Sequence, residues 1–158
     1  MYVADLLDME SIILNAELKT KEDVIVRLAE LLDERGVLSD REFFIADVIK
    51  RETAGSTGVS EGVAVPHARS KAVIEPAVAA MTVPAGVDFD SPDGSLSQLI
   101  FLAAIPKKEP DMVVQLMGKF ALILLEPESR DALLKATNAR KFFRYFNRLE
   151  AKVSPNII

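Results

Sequence analysis

The run "SLSQLIFLAAIP", Ser95–Pro106, decides how this chain is read. From Leu99 to Ile105 every side chain is apolar, without the alternation of a strand that keeps one wet face. Such a run is expected of a strand buried on both faces. It is far shorter than the ~20 apolar residues of a membrane helix. Upstream, "AVAAMTVPAGVDF", Ala77–Phe89, reads as a second strand, and "SPDG", Ser91–Gly94, as the turn between the two. A doubly covered sheet needs helices on either side, and the flanking sequence supplies them.

"TKEDVIVRLAELLDERG", Thr20–Gly36, has Thr20 to cap its start, acids in its first turn and a glycine past its end. Its apolar stripe is Val24, Leu28, Leu31 and Leu32. "SDREFFIADVIKRE", Ser39–Glu52, opens on a capping-box pattern of Ser39 with Glu42. It is expected to bury Phe43, Ile45, Ala46 and Ile49 or their neighbours. "EPDMVVQLMGKFALILLE", Glu109–Glu126, turns Val113, Leu116, Met117, Phe120 and Leu124 inward. Two shorter helices, "PESRDALLKAT" and "NARKFFRYFNRLEAK", follow it. "SIILNAE", from Ser11, reads as the first strand, and "GVAVPH", Gly62–His67, as a short one stopped by Pro66. This order predicts an α/β fold: a single layered domain with a mixed, mostly buried β-sheet flanked by helices on both faces. Residues 1–150 are expected to form the domain, and 151–158 a C-terminal tail or linker stub.

Composition narrows the function. The net charge is −5 and no Lys/Arg cluster interrupts the pattern, which argues against a nucleic-acid partner. The absence of cysteine removes disulfide and thiolate chemistry and fits a cytoplasmic setting. With one histidine and no cysteine, no metal site is expected. "MYVADLLDMES" has acids where a signal peptide needs a basic start and an apolar run, so no membrane insertion is expected.

The chemistry concentrates in "RETAGSTGVSEGVAVPHARS", Arg51–Ser70, which holds the only histidine, His67. Taken alone, that histidine is a loop residue that happens to carry an imidazole. Three features argue for more. Pro66 stiffens the chain entering it and holds Val65 extended. Gly55, Gly58 and Gly62 permit backbone turns that gather N–H groups on an anion, and Gly55, Ser56, Gly58 and Ser60 offer no bulk to a core. Arg51, Ser56 and Thr57 are near in sequence and donate to phosphate oxygens well. A neutral imidazole, with an ordinary pKa near ~6.5, keeps a nucleophilic nitrogen at neutral pH. The set describes a phosphoryl-accepting histidine.

The same stretch resembles the phosphorylation-site signature of fructose/mannitol-type (type 2) enzyme IIA domains of the bacterial phosphoenolpyruvate-dependent sugar phosphotransferase system. The matching features are Arg51-Glu52, then Gly55-Ser56-Thr57-Gly58, then a small apolar strand ending in Pro66-His67. The resemblance extends from the first strand to about Leu149. It implies a two-step relay without cofactor, in which the histidine phosphocarrier protein donates a phosphoryl group to Nε2 of His67. His67 then passes it to a IIB domain serving a membrane IIC transporter. Within it, Arg51 is expected to clamp charge, and Ser56, Thr57 and Gly58 to contact phosphoryl oxygens. The alternative for Arg51 is a solvated cation at a helix C-terminus. Two departures stand out: Ala68 follows the histidine where many members have glycine, and Val113 stands where the family usually has a second histidine. That gap gives weight to an alternative role, a regulatory domain whose phosphorylation state a protein partner reads.

Overall fold

The computed structural model describes residues 1–59 and 61–154. Its centre is an antiparallel pair, β5 (Ala77–Val87) and β6 (Ser97–Pro106), in register from Ala77 opposite Ala104 to Thr82 opposite Leu99. β1 (Leu7–Ile13) runs parallel to β5 on one side. On the other side of β6 lie β3 (Val63–Ala64) and β4 (His67–Ser70), both parallel to it, and β2 (Gly58–Val59) pairs antiparallel with β3. The six-stranded sheet is mixed, in the order β1-β5-β6-β3-β2 with β4 also on β6.

The apolar run of β6 is buried on both faces because its neighbours diverge to two cores. Ile100, Leu102 and Ala104 join a core with α1 (Lys21–Glu34) and α2 (Arg41–Ala54). Leu99, Phe101, Ala103 and Ile105 join a second with α3 (Met112–Ile123), α4 (Pro127–Leu134) and α5 (Ala139–Val153). An aromatic cluster anchors the second core: Phe101 lies 4.9 Å from Phe120 and 5.5 Å from Phe146 between ring centroids. The expected α/β architecture, with helices on both faces, is what the chain forms. Among the described residues no helix is long and apolar enough to cross a membrane.

Three local expectations need correction. α2 is capped by Asp40, whose carboxylate accepts from Phe43 N–H at 3.0 Å, and Ser39 instead donates to Ala72 O. The cap shifts by one residue because Ser39 is drawn to the chain after β4, where its N–H also bonds Ala72 O. Phe44, Ile45 and Val48 are therefore the buried apolar positions of α2, and Phe43 is exposed. β1 starts at Leu7, ahead of the expected Ser11; Asp8, Met9 and Glu10 are exposed, so no buried pattern announces this half of the strand. Finally, Pro66 does not end the strand at His67. The ladder on β6 pauses and resumes, since Pro66 lacks an N–H but its carbonyl still accepts from Ala103 N–H at 3.0 Å. His67 opens β4 rather than sitting in a loop.

At the C-terminal side α5 continues through Val153, and residues 155–158 of the expected tail lie outside the described residues, as does Ser60. α5 is tied to the N-terminal segment by Glu150. Its buried carboxylate accepts from the N–H groups of Val3 and Ala4 at 2.6 and 2.8 Å.

Candidate functional site

The parallel register sets His67 beside Ala103, with its side chain on the α3 face of the sheet along with Val63 and Val65. His67 is 7 % exposed. Nδ1 lies 2.9 Å from Val65 O. A carbonyl oxygen only accepts, so Nδ1 carries the hydrogen and the lone pair resides on Nε2. Burial pushes the imidazole below its ordinary pKa of 6.5. The Val65 hydrogen bond opposes that pull, Arg51 adds to it, and Glu52 opposes it. A neutral, oriented imidazole results.

His67 lines a cleft of about 670 Å³ between β3/β4 and α3. Val113, Met117 and Phe120 form its α3 wall with Leu124 just past the helix end, and Arg51, Ser56 and Thr57 come from the end of α2 and the turn beyond it. Val113 thus shares the cleft with the histidine and brings an apolar side chain to it. Gly58 does not line the cleft. It is buried, and a Cβ there would meet Ser91 Oγ at 2.4 Å and Phe89 O at 2.9 Å, so only glycine fits. Of the three glycines expected to supply unusual backbone, Gly62 alone is left-handed, with φ +83°.

The turn donors are already engaged. Thr57 N–H donates to Glu52 Oε2 at 2.7 Å and Thr57 Oγ1 donates to Glu52 Oε1. Ser56 Oγ donates to Phe89 O and accepts from Gly58 N–H at 2.9 Å. Arg51 Nη1 donates to Gly55 O at 2.7 Å, closing the helix end while the guanidinium stays at the cleft. These bonds fix the turn's shape, and they leave Arg51, with its other N–H groups, as the site's open donor on this side.

Two features escaped sequence reasoning. Glu52 is a buried carboxylate that organises the turn; its neighbours in sequence, Arg51 and Thr57, were the available clue. Elsewhere on the cleft lining, Arg130, from α4, pairs with Glu61 across 69 residues of sequence. No local pattern signals that pair. Among the described residues no group of three or more His, Cys, Asp or Glu is arranged to hold a metal ion.

Comparison with known proteins supplies the family. Residues 5–149 match the family described as phosphoenolpyruvate-dependent sugar phosphotransferase system, EIIA 2. The chain is 36% identical over 136 residues to a PTS system fructose-specific EIIABC component of Bacillus subtilis, covering 86% of this chain but 21% of that protein. It is 30% identical to a PTS system fructose-specific EIIA component of Haloferax volcanii, covering 85% of this chain and 87% of the relative. Among solved structures it resembles the nitrogen regulatory protein IIA-Ntr of Neisseria meningitidis, with a TM-score of 0.84 at 26% identity, over 91% of this chain and 98% of that one. The match runs through the cleft, the histidine strand and both helical layers, and the chain belongs to the EIIA 2 family of the phosphoenolpyruvate-dependent sugar phosphotransferase system, whose components carry phosphohistidine and transfer its phosphoryl group.

Proposed function

We propose that His67 is the phosphoryl acceptor, loaded by the histidine phosphocarrier protein and discharged to a IIB domain during sugar uptake in the cytoplasm. One observation carries the reading: Nδ1–H is held by Val65 O, which commits Nε2 as nucleophile at a cleft that also holds Arg51. In the transfer, the Nε2 lone pair forms a bond to phosphorus while the bond from phosphorus to the donor nitrogen breaks. The donor, entering with its ring protonated, leaves as neutral imidazole. The His67 ring becomes cationic, and its Nδ1–H bond to Val65 O strengthens as that charge develops. Arg51 takes the role of charge clamp for the phosphoryl oxygens, while Ser56 and Thr57 at the cleft, with Gly58 behind them, hold the shape of its edge. The exchange is loose and in-line, so fixed donors suffice and no metal is needed. Exposed apolar side chains near the cleft, Val59, Val114 and Leu125, suit a partner that brings its own phosphorylated residue down onto it.

The Bacillus relative's name, which joins A, B and C components, supports a IIB acceptor. The close structural match to IIA-Ntr supports a second reading, a regulatory domain whose phosphorylation at the same histidine is read by a partner protein. The test is incubation with phosphoenolpyruvate, enzyme I and the phosphocarrier, followed by intact mass. A single phosphate increment is expected, lost in His67→Ala; an increment that survives the substitution would place the acceptor elsewhere. Subsequent loss of the label to a IIB domain separates the transport reading from the regulatory one.

A further inference from the structure

The cleft has a second cation whose position no feature of the His67 reading requires. Arg130 has only 12% of its side chain exposed. Nη1 donates to Leu124 O at 2.8 Å and Leu125 O at 3.0 Å, the free carbonyls at the end of α3. This pins the guanidinium plane against the cleft wall. Nη2 is left to pair with a carboxylate, Glu61, whose side chain is 59% exposed. Glu61 itself is held in place, at φ +67° and with its N–H on Asp93 Oδ2 at 3.0 Å. A cation fixed by neutral carbonyls and neutralised by one solvated carboxylate can exchange that partner without moving its anchor. Val113, on the same wall, provides no donor.

We propose that Arg130 is a second ligand for phosphoryl oxygens, kept neutralised by Glu61 while the site is empty and released to the incoming group. The inference rests on His67 being the acceptor. A phosphoryl group carries nearly two negative charges against one on Glu61, and a guanidinium binds its oxygens through parallel N–H bonds. The exchange therefore favours the loaded form. Glu61 acts on the reaction only through Arg130, which makes the idea separable from a general effect of charge.

The experiment uses phosphoramidate, a small chemical donor that needs no partner protein, with uptake followed by intact mass. Arg130→Gln is expected to slow uptake by roughly five- to tenfold, the effect of losing one charge-assisted contact, partly offset because the variant has no Arg130–Glu61 pair to give up on loading. Glu61→Gln is expected to accelerate it, by about two- to threefold. In the double variant the gain from Glu61→Gln should vanish. If it persists undiminished beside Arg130→Gln, Glu61 acts through the field alone and the proposal fails. Should Arg130→Gln lower the melting temperature through its lost carbonyl bonds, Arg130→Lys keeps the charge and should recover part of the rate. Equal rates in all variants, with His67 still labelled, would overturn the role of Arg130; no label on His67 in the wild type would overturn the reading beneath it.

Discussion

On one face of the sheet α2 packs directly against β4, while on the other α3 leaves a cleft over the same short strands. The difference comes from alternate residues of one segment. Ala64 and Ala68 point to α2, and their small side chains let the helix close on the sheet. Val63, Val65 and His67 point the other way. A pleated strand thus gives its even positions to packing and its odd positions to chemistry. The open face is not weak for that reason. Behind the cleft, Phe101, Phe142 and Phe146 fill it and pack with Phe120 of the cleft wall, so the helices that form that wall rest on a rigid base.

The sharpest way to break this contrast is Phe101→Ala. It removes the ring that Phe120, Phe142 and Phe146 pack around, and unfolding free energy measured in urea should fall by about 3–5 kcal/mol. Phosphoryl uptake per folded molecule should remain near the wild-type rate; loss of uptake without loss of stability would mean that cleft and core are one unit. Next in size, Arg51→Ala should slow uptake by about one to two decades, the worth of a charge-assisted bond of roughly 1.5–3 kcal/mol felt in the transition state. Its melting temperature should barely move, because the arginine is exposed at a helix end. A variant that transfers normally would return Arg51 to the role of a helix-end cation.

Acidity probes the closed and open faces together through the single histidine. Burial lowers the His67 pKa, so uptake should keep its neutral nucleophile below pH 6.5, with the acidic limb displaced in that direction. The same histidine contributes stability that is complete above 6.5 and is lost as pH falls towards the depressed folded value. Titration of the one imidazole by nuclear magnetic resonance checks both, and a midpoint at or above 6.5 would contradict the burial argument. The smallest effect is expected from Val113→His. This position is half-buried at the cleft, so the new imidazole should add a second ionisation to the pH–rate profile at little loss of melting temperature. An unchanged profile with a large melting loss would show the wall to be packing only.

What the sequence disclosed was what short-range physics controls. Thr20 accepts from Asp23 N–H as its cap position demands, and the apolar runs of β5 and β6 are legible because burial on both faces selects apolar residues at most of their positions. Neighbouring residues of equal capping ability, Ser39 and Asp40, could not be ranked locally, since the choice is made by Ala72. The site divides in the same way. His67, Arg51 and the Ser56–Thr57 turn lie within one stretch of chain and were found together. Glu52 was in view but its carboxylate's target was not, and Arg130 with Glu61 meet only through the fold. Sequence distance, not chemical subtlety, separates the two groups.

The antiparallel pairing of β5 with β6 joins strands linked by a short connection, whereas β1, β3 and β4 reach the pair only through distant stretches of chain. Local contacts form at the least entropic expense, so folding should nucleate on that hairpin and acquire the histidine strand afterwards. Substitutions around His67 then alter chiefly how fast the molecule comes apart, while those in the hairpin alter how fast it assembles. Stopped-flow rates for Val65→Ala and Leu102→Ala would show the split, with equal slowing of folding by both as the contrary outcome. A reactive strand that docks late onto a finished scaffold can be remodelled residue by residue without disturbing the route by which the rest of the protein reaches its native state.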